Sequence, residues 1–199
     1  MISFEPAFNE TFKNEGIHSL DPNDNGKETV YGISRVHHPQ WEGWKIVDEI
    51  KKTEGIKGLS DKIRKDVRVL NLAIIFYKET FWGTYMKNIP TQKIANELFD
   101  TAVNQGKENS IIYLQKALNV LNRNGQDYAD IKPDGIFGDN TLNAINGYYH
   151  TQRFRTRDKE KLEKWLLKWM NYFQMKTYES IINKDSKQEK FVPGWTERS

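Results

Sequence analysis

The sequence predicts a mostly α-helical protein with one short β-hairpin or turn segment near the N-terminus. Two observations carry that expectation. Apolar residues recur at spacings of three and four through most of the 199-residue chain, which stacks their side chains on one face of a helix. Near the N-terminus the stretch from His18 to Ser34 departs from this, with a texture of Asp, Pro, Asn, Gly and Thr that reads as turns.

Taken in order, Phe4, Phe8 and Phe12 define a first helix running to about Glu15, with Pro6 tolerated in its first turn. Within the irregular stretch, Thr29-Val30-Tyr31 is the most strand-like piece. A short helix is expected around Trp41 to Ile50, then a Lys/Gly-rich loop through Gly58. With Ser60 as N-cap, Ile63, Val67, Leu70, Ile74, Tyr77 and Phe81 predict the strongest helix of the chain. Pro90-Thr91 begins another, striped by Ile94, Leu98 and Ala102 and ended by Gly106. Leu114, Leu118 and Leu121 make the next. Asn122 to Gly138 is a polar loop, and Asp139 is the expected N-cap of a helix through Tyr149. A last helix is expected to be striped by Trp165, Trp169, Phe173 and Ile181, before a tail closing on Trp195.

Composition narrows the function. The 30 Lys+Arg against 27 Asp+Glu leave a net charge of +3, too little for a chain whose main work is gripping a nucleic-acid backbone. There are no cysteines, which removes disulfide frameworks, thiolate zinc sites and thiol nucleophiles. With only four His, a zinc site is not expected, so the cofactor and metal expectation is none. The longest uninterrupted apolar stretch, Leu72 to Tyr77, falls far short of the roughly 18 residues a membrane span needs. The N-terminus shows neither a basic region nor an apolar core of a secretory signal. Aromatic content is high, and flat rings with polar handles serve both as core and as sugar platforms. The basic run Arg153, Arg155, Arg157, Lys159 and Lys161 reads as a solvated face that can also hold an anionic wall polymer.

The polar segment concentrates the chemistry. Glu15 sits at the end of an aromatic-faced helix, where burial disfavours the charged form and lets a carboxyl act as a general acid. Asp24, nine residues on, lies in a turn and is expected to stay ionised; Thr29 offers a hydroxyl that can orient water. Two carboxyls in unlike environments are what glycosidic cleavage requires.

The wider pattern is more specific. Glu15-Gly16, then Asp21-Pro22-Asn23-Asp24-Asn25-Gly26-Lys27-Glu28-Thr29-Val30-Tyr31-Gly32-Ile33-Ser34, resembles the signature of glycoside hydrolase family 108, a family of lysozyme-like muramidases. The Glu, Asp, Thr order is also similar to that of phage-type lysozymes. Leu98-Phe99-Asp100 through Val103-Asn104 and Gly106 looks like that family's L-F-D-x-x-V-N-x-G helix. Leu114-Gln115 to Asn119, with Asp134-Gly135-Ile136-Phe137-Gly138 and Thr141-Leu142, is similar to predicted peptidoglycan-binding segments, and Gly194-Trp195 with Arg198 matches the closing G-W-x-x-R.

The resemblance implies a lysozyme-like helical fold, with a muramidase domain over 1–92 and a peptidoglycan-binding helical domain over 93–199. It implies cleavage of the β-1,4 bond between N-acetylmuramic acid and N-acetylglucosamine, with Glu15 as the catalytic acid. Asp24 and Thr29 are the candidates for the remaining catalytic roles on spacing and chemistry. Tyr31, His18 and Trp82 are the candidate substrate-binding residues, each with an ordinary packing or surface role as its alternative. Two positions depart from the pattern: Ile17 and Lys27 stand where the family has glycines, which implies a reshaped turn. Lytic transglycosylase action, or wall binding by an inactive scaffold, remain the alternatives. The expected partner is bacterial peptidoglycan, with no nucleic acid, no stable membrane insertion and a monomeric state. The expected setting is synthesis in the cytoplasm and action on the wall after release, as a phage or prophage lysin or a secretion-linked component.

Overall fold

The computed structural model describes residues 1–13, 17–20, 28–152, 156 and 158–198. The chain divides into two compact units, one formed by Phe4–Gly83 and the other by Thr84–Ser199 with Met1–Ser3. The architecture is mostly α, with one small antiparallel sheet near the N-terminus. Among the described residues, no helix is long and apolar enough to cross a membrane.

In the N-terminal unit, α1 (Phe4–Thr11) buries Phe4, Ala7 and Phe8. It stops short of Glu15: Phe12 N–H still bonds Phe8 O, but Lys13 N–H turns to Glu10 O in the tighter i→i−3 pattern that closes many helices. The sheet follows as β1 (His18–Leu20), β2 (Glu28–Val30) and β3 (Ile33–Ser34), in that spatial order. Leu20 lies opposite Glu28 in the ladder, so the chain leaves and re-enters the sheet at one position. Tyr31 and Gly32 link β2 to β3, and both have positive φ, 47° and 77°. That is the conformation of a two-residue hairpin turn whose twist matches the strands. Tyr31 is therefore a turn residue, while Thr29 and Val30 are in β2 as expected.

Beyond the sheet lie α2 (Gly43–Glu54), α3 (Leu59–Lys65) and α4 (Val67–Phe81). The single helix expected from Ser60 to Phe81 is two. Asp66 is extended (φ −88°, ψ 98°), and its carboxylate accepts from Arg68 N–H, so it caps a new helix instead of continuing the old one. Ser60 is not a cap; Gly58, at φ 69°, precedes α3. The buried row of α4 is Val69, Ala73 and Tyr77: Tyr77 is buried as expected, Val69 and Ala73 replace Leu70 and Ile74, and Val67 is exposed.

The second unit opens with a short 3-10 helix (Thr84–Asn88), then α5 (Gln92–Gln105), capped by Thr91, and α6 (Lys107–Leu121). Then come α7 (Asp139–Gln152), α8 (Lys159–Lys184), a 3-10 turn (Ser186–Phe191) and α9 (Val192–Arg198). Asp139 is the first helical residue of α7, not its N-cap. The core forms where α6 packs on α5 and α8, with Leu98, Phe99, Leu114, Leu118, Leu162 and Leu166 all fully buried. From α6, Gln115 Nε2 donates to Asp134 Oδ1 (2.9 Å), Thr141 Oγ1 (2.9 Å) and Ile136 O (3.1 Å), while its Oε1 accepts from Gly135 N–H (3.0 Å). One buried amide thus pins the Asp134-Gly135 turn to α6.

The buried row of α8 is Leu162, Leu166, Met170, Gln174 and Tyr178, and this corrects the expected stripe. Trp169 and Ile181 are exposed. The helix carries apolar residues on both faces, and the compact Leu/Met row is the one that fits close packing; the indoles are left at the surface.

Candidate active site

The candidate site belongs to the N-terminal unit. Phe8, Phe12, Tyr31 and Leu70 form the apolar part of a cavity of about 360 Å³ whose other lining residues are Asn9, Lys13, Ile17 and Arg64. Lys13 and Ile17 are the described residues on either side of Glu15 in the chain. Two of the lining side chains are cationic.

The cavity wall is fixed from beneath by Tyr77. Its ring lies 4.4 Å from that of Phe12 and 5.9 Å from that of Phe8, centroid to centroid. Its hydroxyl donates to Tyr31 O (2.9 Å), while Tyr31 N–H bonds Ile17 O (2.7 Å). Burial pushes the Tyr77 phenol far above its usual range, so it keeps the proton it donates to Tyr31 O. Gly32 shows how tight this is: a Cβ there would meet Tyr77 Oη at 2.7 Å. Burial also raises the Tyr31 phenol, with the Arg64 charge acting the other way.

The candidate residues divide as follows. Tyr31 lines the cavity. Thr29 is the middle residue of β2, opposite Ser19 and Ser34, half-buried, and without a side-chain hydrogen bond among the described residues. His18 turns to Glu28, Nε2 to Oε1 at 3.1 Å, and Trp82 ends α4 and packs edge-on against Phe4 at 5.5 Å. Neither His18 nor Trp82 lines the cavity. Glu15 and Asp24, like Lys27, lie outside the described residues.

The residue that sequence reasoning passed over is Glu28. It is buried, and its carboxylate meets Lys51 Nζ at 2.5 Å, Arg35 Nε at 2.9 Å and His18 Nε2 at 3.1 Å. Arg35 also holds Asp48 through two hydrogen bonds, 2.7 and 3.0 Å, and lies over the Trp44 ring at 4.3 Å. Burial alone would raise the Glu28 carboxyl. The hydrogen bonds from Lys51 and His18 and the charge of Arg35 outweigh it and hold the group below the usual glutamate value. This network ties His18, at the start of β1, and Glu28, at the start of β2, to α2. Its only sequence signal is strand alternation, which puts Glu28 on the same face as fully buried Val30 and opposite to Thr29.

Comparison with protein families settles the affiliation. The glycosyl hydrolase 108 model matches residues 8–106, and the predicted peptidoglycan domain matches residues 109–199. The chain belongs to the glycosyl hydrolase 108 family. It is a glycoside hydrolase-type enzyme with a peptidoglycan-binding domain, and cell-wall peptidoglycan is its substrate and partner. Curated proteins gave no match. Among solved structures, Brucella abortus SagA is similar, with 19% identity over 98% of this chain and 87% of that one and a TM-score of 0.51. At that identity the likeness shows a shared fold.

Proposed function

We propose that this glycosyl hydrolase 108 member is an N-acetylmuramidase that hydrolyses the β-1,4 bond between N-acetylmuramic acid and N-acetylglucosamine. Glu15 protonates the leaving glycosidic oxygen, and Asp24, with Thr29, stabilises the oxocarbenium-like centre or positions the attacking water. The observation that carries this reading is the family match across residues 8–106, which spans Glu15, Asp24 and Thr29 in the order the chemistry needs. The cavity supports it. An aromatic wall suits the apolar face of a sugar ring, and the cationic Lys13 and Arg64 suit the carboxylate borne by muramic acid or its peptide. The hydroxyl of Thr29, without a side-chain partner among the described residues, favours hydrolysis over transglycosylation, since only hydrolysis requires a positioned water. The substrate lies outside the membrane, so the enzyme acts there, as a lysin or a secretion-linked component.

The test is wall clearing by the wild type and Glu15→Gln. Lysis is expected to fall by roughly 10²- to 10⁴-fold, the usual contribution of a general acid, while sedimentation with the wall is retained. Undiminished lysis in the variant would remove Glu15 from the mechanism.

A further inference from the structure

The second unit exposes a face of α8 that the fold does not use. Opposite the buried Leu162–Tyr178 row, Lys161, Trp165, Lys168, Tyr172 and Lys176 follow one another at spacings of three and four, with Trp169 on the flank. Trp169 and Tyr172 are 37% and 49% exposed, far more than rings recruited as core. They form one cluster with Phe173: Trp169 meets Tyr172 at 5.5 Å, and Tyr172 meets Phe173 at 5.2 Å. The lysines already reach the rings, Lys161 Nζ over Trp165 at 5.3 Å and Lys116 Nζ over Phe173 at 5.7 Å. Between Lys161 and Lys176 the sole carboxylate is Glu163, and it is buried and paired with Lys93 at 3.0 Å. Between these two lysines the face is thus aromatic and cationic, and exposed Glu179, three residues beyond Lys176, marks its C-terminal limit.

We propose that this face of α8 is the surface that holds the peptidoglycan strand, its rings stacking on the sugars and its lysines pairing with the carboxylates of the peptide stems. The inference rests on peptidoglycan being the substrate, and it places the wall contact on α8 instead of the Tyr113–Tyr149 segment that the sequence motifs mark. Charge complementarity selects the occupant. The strand is anionic and presents flat C–H faces, and Lys161, Lys164, Lys168 and Tyr172 with the two indoles offer both complements along roughly 15 Å of helix axis. An anionic membrane would share the charge but calls for an apolar face separate from the lysines, whereas here lysines and rings share one face. Between Lys161 and Lys176, Met175 is the sole aliphatic side chain exposed on this side.

The experiment is sedimentation of the full chain with purified sacculi, in the Glu15→Gln background so that the wall is not consumed. Trp169→Ala/Tyr172→Ala and, separately, Lys168→Glu/Lys176→Glu are each expected to raise the apparent Kd at least about tenfold. Lys168→Arg/Lys176→Arg should keep wild-type affinity, and added salt should weaken binding of the parent. Both lysines are exposed, so their loss of binding reads the face and not the fold. Unchanged affinity in both double variants would overturn the proposal. So would binding to phosphatidylglycerol vesicles that these variants abolish while wall binding persists, which makes the face a membrane contact. If the wild type cleaves no glycan but the variants still lose the wall, the hydrolase reading fails and this one stands; the converse separates them the other way.

Discussion

A carboxylate taken out of water keeps its charge only where cations replace the lost hydration. Glu28 meets that condition through Lys51, Arg35 and His18. Because its folded value is depressed, its contribution to stability is full above the ordinary glutamate value and is lost as pH falls through the folded value. Glu28→Gln is therefore expected to cost about 1–3 kcal/mol at neutral pH by leaving buried cations underpaired. The gap from wild type should shrink as the pH is taken from neutral to acid, below the ordinary glutamate value, and the carboxylate protonates. Urea unfolding at the two pH values checks this, and a gap independent of pH would exclude the ion network as its cause. Glu28 was passed over because one acid among 27 carries no sign of the partners that α2 and the β3 end bring to it. Tyr31 was the more legible residue, since an aromatic beside a glycine in a polar turn already marks a place where the backbone is tightly held.

At the scale of the element, local caps and turns overrode periodicity. Spacing alone joined α3 to α4, but an Asp whose side chain can bond the N–H two residues on ends one helix and starts another. Spacing also put the aromatic row of α8 inside, because Trp counts as apolar in any pattern although its size and polar edge suit a surface as well. By contrast, α1, α5 and α6 were legible, since in each an apolar row on one face coincides with the buried row. Two variants test the elements that hold the sites. Gly32→Ala adds a Cβ at positive φ against Tyr77 Oη; a loss of about 2–3 kcal/mol is expected, measured by thermal melting. A near-neutral result would mean that the turn can relax away from Tyr77. Gln115→Leu leaves Gly135 N–H, Asp134 and Thr141 without their shared partner. A loss of about 2–3 kcal/mol is expected there as well, with faster amide exchange confined to residues 130–141. Exchange unaltered in that loop would show that it is held by other contacts.

Across the whole molecule, the chain divides into two compact units: the first holds the cavity, the second the peptidoglycan domain, and the glycosyl hydrolase 108 match runs from the first into the second. Fold class and family could be read from the chain because helical rows and a long ordered motif each survive as sequence. Of the candidate site residues, Tyr31 was legible as a ring that lines the cavity; the support around it, Tyr77 under the Tyr31 turn and α2 behind Glu28, exists only once segments distant in the chain are packed together. The central claim is hydrolysis with Glu15 as its acid, and mass spectrometry of the products from purified peptidoglycan reads it most directly. Reducing N-acetylmuramic acid ends from the wild type, absent with Glu15→Gln, are the predicted result. Anhydro-muramic ends from the wild type would contradict it, making the enzyme a lytic transglycosylase with no role for a positioned water.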